Sequence, residues 1–508
     1  MALRGSAVRI RLAPYISGRA LCILPDLFFK VGTIISLNQI SLNQNKQETM
    51  YQLLSSSLVA IAFFLAASPP QPVKAQTPPM RAYQPKATDI ARNDQIKEQQ
   101  QKAHPSRFDL KTYPVSDRNL KHWQESLWAI GVLAPEENYA VQALETILQM
   151  TTAANLSDPQ KGIIDTAIQV GTQLYTLKPA VYGKLKQHFE RTIDYSSDPQ
   201  WVAIALSALS KSAGSSQIEK LNQKVQQRFP NWAQDLHLRT TIKNIQSERL
   251  SVANVPAIPN LADLLKWQIA PQQAHMYVLC RPNRDILCIS VLKDRNGKFL
   301  KQNNQLWSAP LLLQSLHNLD WNFTNGRTPQ GIYRMEGVSL QPDDEVFHAY
   351  GQFSLVNLFV PFEDGVKAFL PNPNLPKQRG KFTGNLQAYQ ALLPPTWRSY
   401  EPVQQTYWAG SIGRSLFRIH GSGAAIDFFQ SKPAVVSPKN FNWNATLGCL
   451  SAIEIYDNKG SLLKADMPKI LNALNTVGKG KVEGFLIVID VPSLSNEPVT
   501  VAEVTKLL

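Results

Sequence analysis

Cysteine is scarce in this chain, and its few cysteines are not spaced for a zinc site. Among the 508 residues there are four: Cys22, Cys280, Cys288 and Cys449. None of them belongs to a C-x-x-C pair, the spacing that structural zinc sites commonly use. The sequence therefore predicts no metal site.

The chain also lacks a concentrated basic segment, although it is basic as a whole. Its formal net charge is +14, and a basic surface favours anionic partners such as nucleic acid, an acidic membrane face or an anionic wall polymer. However, no dense run of lysine and arginine is interleaved with aromatic residues, and no named nucleic-acid motif occurs. We therefore do not expect a nucleic-acid partner.

No apolar run is long and clean enough to predict a membrane span. The first, 21–35, is broken by proline and charged residues, and the second, 53–67, is uninterrupted but short. Its length fits the core of a signal peptide, and a small-x-Ala cleavage pattern, Val73-Lys74-Ala75, follows it. We expect residues 1–75 to be an upstream and signal segment, with translation starting at Met50.

This segment predicts export to the periplasm or cell wall. The alternative is that it stays attached as an N-terminal anchor. In either case the membrane is contacted only through the signal segment.

Composition divides the rest of the chain into an all-α part and a mainly-β part. Residues 76–116 are polar and proline-bearing, which predicts a linker. In 117–250, apolar residues recur at helical spacing. There the tetrapeptide Ser-Asp-Pro-Gln occurs at 157–160 and again at 197–200, and Asp before Pro is typical of a helix start.

Each tetrapeptide is followed by two apolar helical stretches, with a break near Lys178 or Gly214. Helix pairs repeating at about 40 residues resemble HEAT-like hairpins. We therefore expect a helical domain at 117–250. It would act as a spacer or as a docking surface for a protein or glycan partner.

The helical pattern of the sequence ends near residue 251. Prolines mark a second linker at 251–273, with one short helix at 260–267. From 274 to 495, short runs rich in Val, Ile, Leu, Phe and Tyr are separated by Gly, Pro and Asn, which predicts a mainly-β domain with one helix at 464–475. Residues 496–508 are expected to be a C-terminal tail.

Cys449 is the cysteine without an obvious partner. Cys280 and Cys288 flank a turn-rich stretch, so a hairpin could pair them as a disulfide in an oxidising compartment; otherwise they are two small buried residues. Cys449 follows a glycine in Thr446-Leu447-Gly448-Cys449. A glycine there permits a tight turn whose amides can stabilise a developing oxyanion.

A nucleophilic cysteine needs a base, because the thiolate is the attacking species. His420 is the natural base: it ends a predicted strand in Ile419-His420-Gly421-Ser422 and is the only histidine after His348. Two acidic residues, Glu454 and Asp457, follow the cysteine on the next apolar run. His348 is expected to be a surface or core residue.

The order of these motifs resembles the catalytic domain of the L,D-transpeptidase (YkuD-type) family. The resemblance rests on three motifs: Thr328-Pro329-Gln330-Gly331 just before a strand, His420-Gly421 at a strand end, and the turn Thr446-x-Gly448-Cys449. It covers residues 275–492 approximately. It implies that Cys449 is the nucleophile, that His420 is the base and that Gly448 lies at the oxyanion site. Thr446, Gly421 and Ser422 occupy the flanking motif positions.

The resemblance implies an enzyme that forms a cysteine thioester on peptidoglycan stem peptides, with no cofactor. An amine acceptor gives cross-linking, and water gives an L,D-carboxypeptidase outcome. Three departures bear on the acceptor: Leu447 replaces the usual His, Ser451 replaces the usual Arg or Asn, and the His420–Cys449 interval is long. The alternatives are a wall-associated binding or scaffold protein with a degenerate catalytic domain, and a secreted cysteine peptidase of another fold. Tyr407 and Trp408 are expected to fill the core or to form a substrate wall.

Overall fold

The structure is a computed structural model that describes residues 84–248, 258–340, 352–371, 379–422, 445–493 and 497–508. Within these ranges, a helical amino-terminal part precedes a carboxyl-terminal part built around a curled mixed sheet. All of these residues belong to one compact unit. The predicted combination of an all-α part and a mainly-β part is therefore present, with the two parts packed together. The predicted signal segment, His348 and residues 423–444 of the long His420–Cys449 interval lie outside the described residues.

The helical part contains nine α-helices in the described residues. Its helices are α1 (Asp89–Lys102), α2 (Leu120–Leu133), α3 (Asn138–Gln149), α4 (Asp158–Leu177), α5 (Pro179–Tyr182), α6 (Leu185–Tyr195), α7 (Pro199–Ser210), α8 (Ser215–Arg228) and α9 (Leu236–Glu248).

Both Ser-Asp-Pro-Gln segments begin a helix, but they are capped differently. At α4 the hydroxyl of Ser157 accepts a hydrogen bond from the N–H of Gln160, so the serine rather than Asp158 is the cap. At α7 the carboxylate of Asp198 accepts from two N–H groups of the first turn. Proline occupies the first turn in both cases, where its missing N–H costs no helical hydrogen bond.

The prediction that residues 76–116 form a linker is wrong for Asp89–Lys102, which form the helix α1. This helix packs against α2, and just after it the carbonyl of Ala103 accepts a hydrogen bond from the Tyr139 hydroxyl at 2.6 Å. Its buried residues are Gln95 and Gln99. A buried face made of polar side chains gives no hydrophobic period, so the pattern could not reveal it.

The carboxyl-terminal part contains eleven strands in the described residues. They are β1 (Ala274–Cys280), β2 (Cys288–Lys293), β3 (Lys301–Gln302), β4 (Gln305–Leu306), β5 (Ser308–Leu311), β6 (Gly331–Ser339), β7 (Leu355–Phe359), β8 (Phe417–Ser422), β9 (Leu450–Tyr456), β10 (Leu462–Ala465) and β11 (Glu483–Asp490). Its helices are α10 (Leu261–Lys266), α11 (Leu386–Gln390), α12 (Gln405–Ser411), α13 (Met467–Val477) and α14 (Val501–Thr505).

Nine strands form one sheet in the order β10-β9-β8-β7-β6-β11-β1-β2-β5. The pairs β1–β11 and β8–β9 are parallel, and the other neighbours are antiparallel. Just after β5, Leu312 forms a bridge to Ser451 of β9. The sheet therefore curls until the chain after its β5 edge meets the strand that follows Cys449.

Two apolar layers cover the faces of the sheet. The inner face packs against α13 through residues such as Ile419, Leu450 and Leu474. The outer face of β1, β6 and β11 packs against α10, α11 and α12.

Two predicted connections are therefore part of the fold. The linker 251–273 contains α10, whose Leu264 and Leu265 are buried. The tail 496–508 contains α14, where Val504 is buried and Glu503 pairs with Arg281 at 2.8 Å.

The β5–β6 loop, residues 312–330, joins the sheet to the helices. Leu319 and Phe323 of this loop lie in the hydrophobic core of the helical part. The carboxylate of Asp320 accepts hydrogen bonds from Ser207 on α7 and from Lys211 at 3.1 Å. This buried contact fixes the loop against the helices, and the loop in turn reaches the turn that carries Cys449.

Cys280 and Cys288 form a disulfide that closes the β1–β2 hairpin. The two cysteines face each other at the end of the hairpin, as the turn-rich sequence between them predicts. Cys449 is the free cysteine of the described residues.

Candidate active site

Cys449 lies at the end of a tight turn that leads into β9. The hydroxyl of Thr446 donates to the carbonyl of Cys449 at 2.6 Å and accepts from the N–H of Gly448 at 3.3 Å. From the predicted Thr-Pro-Gln-Gly motif, the hydroxyl of Thr328 donates to the carbonyl of Gly448 at 2.9 Å. Two threonine side chains therefore fix the backbone on both sides of the thiol.

Gly448 meets two requirements that only glycine satisfies. Its φ of 116° lies in a region that other residues rarely adopt. A Cβ atom at this position would lie 2.5 Å from Nη2 of Arg414 and 2.9 Å from the carbonyl oxygen of Gly326. The predicted glycine turn is thus present, and it is also a point of close contact.

Arg414 connects this turn to the β5–β6 loop. Its guanidinium is buried and donates to the carbonyls of Gly326 at 2.7 Å, Arg327 at 3.0 Å and Trp321. Burial lowers the pKa of Arg414 to about 10, against the opposing effects of Tyr333 and Cys449. The side chain therefore remains a cation at neutral pH.

His420 reaches the thiol from the neighbouring parallel strand. In the β8–β9 register, Ile419 pairs with Leu450 and His420 with Ser451, so Cys449 lies just before the paired stretch. The side chains of His420 and Cys449 interact, and the interaction shifts the pKa of both groups. The other ring nitrogen, Nδ1, lies 3.1 Å from the carbonyl oxygen of Gly421. A carbonyl there favours a proton on Nδ1 and, in the neutral ring, leaves Nε2 as the acceptor nitrogen.

The electrostatics of the pair favour a thiolate and an imidazolium. Burial by itself would raise the pKa of Cys449, but the hydrogen bond and charge of His420, the charge of Arg418 and a bond from the Arg418 backbone lower it below its ordinary value. Burial would lower the pKa of His420, but the hydrogen bond and charge of Cys449 raise it. Each partner therefore stabilises the charged form of the other.

The chain before β8 fixes the position of the sulfur. Sγ of Cys449 lies 3.7 Å from the carbonyl oxygen of Leu416, a residue with φ of 64°. The carboxyl of Glu363 holds this backbone by accepting from the N–H of Leu416 at 2.9 Å. Burial raises the pKa of Glu363 to about 7, although N–H donors oppose that shift.

Glu454 lies behind the His-Gly strand end. Its carboxyl fills the space of a side chain at Gly421, where a Cβ atom would lie only 1.8 Å from Oε2. Gly421 is therefore required by packing, since its φ is not in the left-handed region.

The structure brings together most of the residues that the sequence singles out. Cys449, His420, Gly448, Thr446 and Gly421 form one cluster with the contacts described above. Ser422 ends β8 beside them and pairs with Ile453 of β9.

The sequence did not indicate Arg414 or Glu363 as parts of the site. Neither lies in a recognisable motif, and their partners are far away in the chain. Tyr407 belongs to the buried aromatic layer with Tyr389. Trp408 lies under the guanidinium of Arg239 at 4.2 Å. Both aromatic residues pack within the fold.

Within the described ranges, no group of three or more His, Cys, Asp or Glu side chains is placed to hold a metal ion. None of the helices described here combines the length and apolar character of a membrane span. No family model, curated protein or solved structure matches this chain.

Proposed function

We propose that this chain is an exported cell-wall acyltransferase of the L,D-transpeptidase class, with Cys449 as nucleophile and His420 as base. The observation that carries the proposal is that the parallel pairing of β8 and β9 brings Cys449 and His420 together, where each side chain favours the charged form of the other: the pKa of the thiol is lowered and that of the imidazole is raised. A lowered thiol pKa increases the fraction of attacking thiolate. The Cys280–Cys288 disulfide supports export, because disulfides persist in oxidising compartments.

The first half-reaction transfers an acyl group to the sulfur. The Cys449 thiolate attacks the carbonyl carbon of a stem-peptide bond that joins an L-centre to a terminal D-residue. As the C–N bond breaks, the imidazolium of His420 gives its proton to the leaving amine. A thioester and a neutral imidazole remain.

The second half-reaction releases the acyl group. An amine of another stem peptide or protein attacks the thioester while His420 takes its proton. The C–S bond breaks, and the thiolate–imidazolium pair forms again. With water in place of the amine, the product is a carboxylic acid and the outcome is that of an L,D-carboxypeptidase.

The turn before Cys449 supplies the oxyanion site in this scheme. The N–H of Gly448 donates to the Thr446 hydroxyl, so we assign the main oxyanion contact to the N–H of Cys449. The positively charged guanidinium of Arg414 lies beside the same turn and favours negative charge there.

The test is a mass measurement of the intact protein after incubation with a carbapenem, together with an assay on stem peptides. We expect an adduct of one carbapenem in the wild type, no adduct in Cys449→Ala and slow formation in His420→Gln. Gly337→Ala is a matched control, because nothing lies within 4 Å of its added methyl group. Folded wild-type protein that forms no adduct and does not process stem peptides would exclude the proposal.

A wall-associated binding or scaffold protein is the second candidate. Leu447 and Ser451 stand where the family has acceptor-binding side chains, and Ser451 is fully buried. The helical part offers an open cavity of about 570 Å³ lined by Gln149 and by residues of α6, including His188, Arg191 and Tyr195. A pull-down with purified sacculi separates the two candidates. A scaffold would bind equally with Cys449 replaced and would show no turnover.

A further inference from the structure

Glu454 of β9 is a buried carboxyl with one oxygen that accepts no hydrogen bond from the described residues. It is 2% exposed. Oε1 accepts from the N–H of Gln352 at 2.8 Å and from the hydroxyl of Tyr456. Oε2 accepts no hydrogen bond within the part of the chain that the structure describes. Burying a carboxyl oxygen in this way is unfavourable, so its presence beside a reactive pair calls for a function.

The free oxygen points at the backbone that positions His420. It occupies the space of a Gly421 side chain, and the carbonyl of the same glycine lies 3.1 Å from Nδ1 of His420. Side chains alternate along a strand, and Gly421 pairs with Ala452, two residues before Glu454. His420 and Glu454 therefore approach Gly421 from opposite faces of the sheet, with no side chain between them at that position.

We propose that Glu454 is a positioning residue for His420: its carboxylate, packed against Gly421, stabilises the imidazolium that forms when His420 takes the proton of Cys449. This role rests on the proposed function, in which the Cys449–His420 pair is the reacting pair. Only a proton moves, from Sγ to the imidazole. Glu454 acts through its charge and forms no bond to the substrate.

The charges around Glu454 fit this role. Burial raises its pKa to about 7, while Tyr456, the N–H of Gln352 and the charge of His420 oppose the rise. The charge of Glu454 is in turn one of the factors that raise the pKa of His420. On the neighbouring strand β10, Ala465 pairs with Glu454. The charged residues on either side of Ala465 are Lys464 and Asp466. Beyond His420, the charged groups are Cys449 and Arg418.

The ionisation of Glu454 sets the pH range in which it can stabilise the His420 imidazolium. Below about pH 7 the carboxyl is protonated and neutral, so it adds little to the imidazolium. As the pH rises through that value, the carboxylate forms and holds the proton on His420 more strongly. The effect is therefore greatest above neutrality.

The test is an NMR titration of the histidine Cε1–H signals of the full chain, with the His420 signal identified by its loss in His420→Gln. Glu454→Gln keeps the shape of the side chain and an oxygen for both donors, but it carries no charge. We expect the proton-binding constant of His420 to fall on the order of tenfold in this variant.

Asp165→Asn is the matched control. Asp165 is a half-buried carboxyl that accepts a hydrogen bond from the Trp201 indole at 2.6 Å, and burial raises its pKa to about 6. Because it lies in the helical part, its replacement should leave the His420 titration unchanged.

An unchanged His420 titration in Glu454→Gln would overturn the proposal, as would an equal shift in Asp165→Asn. The wild type gives a measurement that does not depend on a variant folding: its His420 signal should show a second inflection near the ionisation of Glu454, and a single inflection would count against the role. The titration needs no substrate. A protein without carbapenem adducts or stem-peptide turnover would therefore refute the enzyme function. The His420 titration would still test the role of Glu454 independently.

Discussion

Replacing Gly448 with alanine tests why glycine precedes Cys449. The residue has φ of 116°, and the added methyl carbon would lie 2.5 Å from Nη2 of Arg414, 2.9 Å from the carbonyl oxygen of Gly326 and 3.2 Å from Cε1 of Phe417. Alanine therefore brings backbone strain and crowding at once. Arg414 has little freedom to move, because its guanidinium already bonds three carbonyls.

The two effects can be separated by a second glycine. Strain at such a φ costs about 1–3 kcal/mol, and overpacking adds about 1–3 kcal/mol. We expect Gly448→Ala to lower the free energy of unfolding by about 4 kcal/mol. Gly337 has φ of 77° with nothing within 4 Å of an added Cβ, so Gly337→Ala should lose only the strain energy, about 1–3 kcal/mol.

The assay is urea unfolding of the wild type and both variants, combined with the rate of Cys449 alkylation by iodoacetamide at pH 7. Displacement of the turn should weaken the hydrogen bond to His420 and slow alkylation in Gly448→Ala, while Gly337→Ala should react like the wild type. Equal losses of stability in the two variants, together with unchanged alkylation, would show that the crowding around Gly448 has been misjudged.

Three further predictions follow from buried contacts. Gly421→Ala should lower the free energy of unfolding by about 2 kcal/mol, because the added methyl group overlaps the carboxyl of Glu454. Adding Glu454→Ala to the same chain should restore part of that loss. Strictly additive effects of the two substitutions would contradict the contact. Burial raises the pKa of Glu363 from 4.5 to about 7, so the folded chain retains a proton that the unfolded chain releases in this window. Glu363 should therefore contribute a loss of up to about 3 kcal/mol of stability as pH rises from 4.5 to 7, so the fall in stability between pH 5 and pH 7 in urea titrations should be smaller in Glu363→Gln than in the wild type. Asp320→Asn should lower the free energy of unfolding by about 3 kcal/mol, because Lys211 loses the charge of its partner. Adding Lys211→Met to the same chain should recover part of that stability. Urea unfolding that shows no recovery would count against the ion pair.

The sequence could predict the local parts of the site because their chemistry is local. A glycine before Cys449, a histidine at a strand end and a threonine three residues before the thiol each show in a short motif. The helix starts at Ser157 and Asp198 are local for the same reason. Each of these signals lies within a few residues of sequence, although His420 and Cys449 themselves are 29 positions apart.

The remaining parts depend on contacts between residues distant in the chain. Arg414 binds carbonyls of the β5–β6 loop, nearly ninety positions earlier. Glu363 accepts from Leu416 across 53 positions. Single-sequence patterns hold no record of such pairs. The helix α1 was missed for a different reason, since its buried face carries glutamines where the pattern expects apolar residues.

These distant contacts change how the helical part should be understood. A spacer would leave the sheet able to form its site alone. Here Asp320 is held by α7 and by Lys211, while Trp321, Gly326 and Arg327, which follow it in the same loop, supply the carbonyls that fix Arg414. Arg414 in turn lies against Gly448. The helical part thus supports the turn before Cys449 through these contacts, and we expect a truncated sheet domain to lack that support.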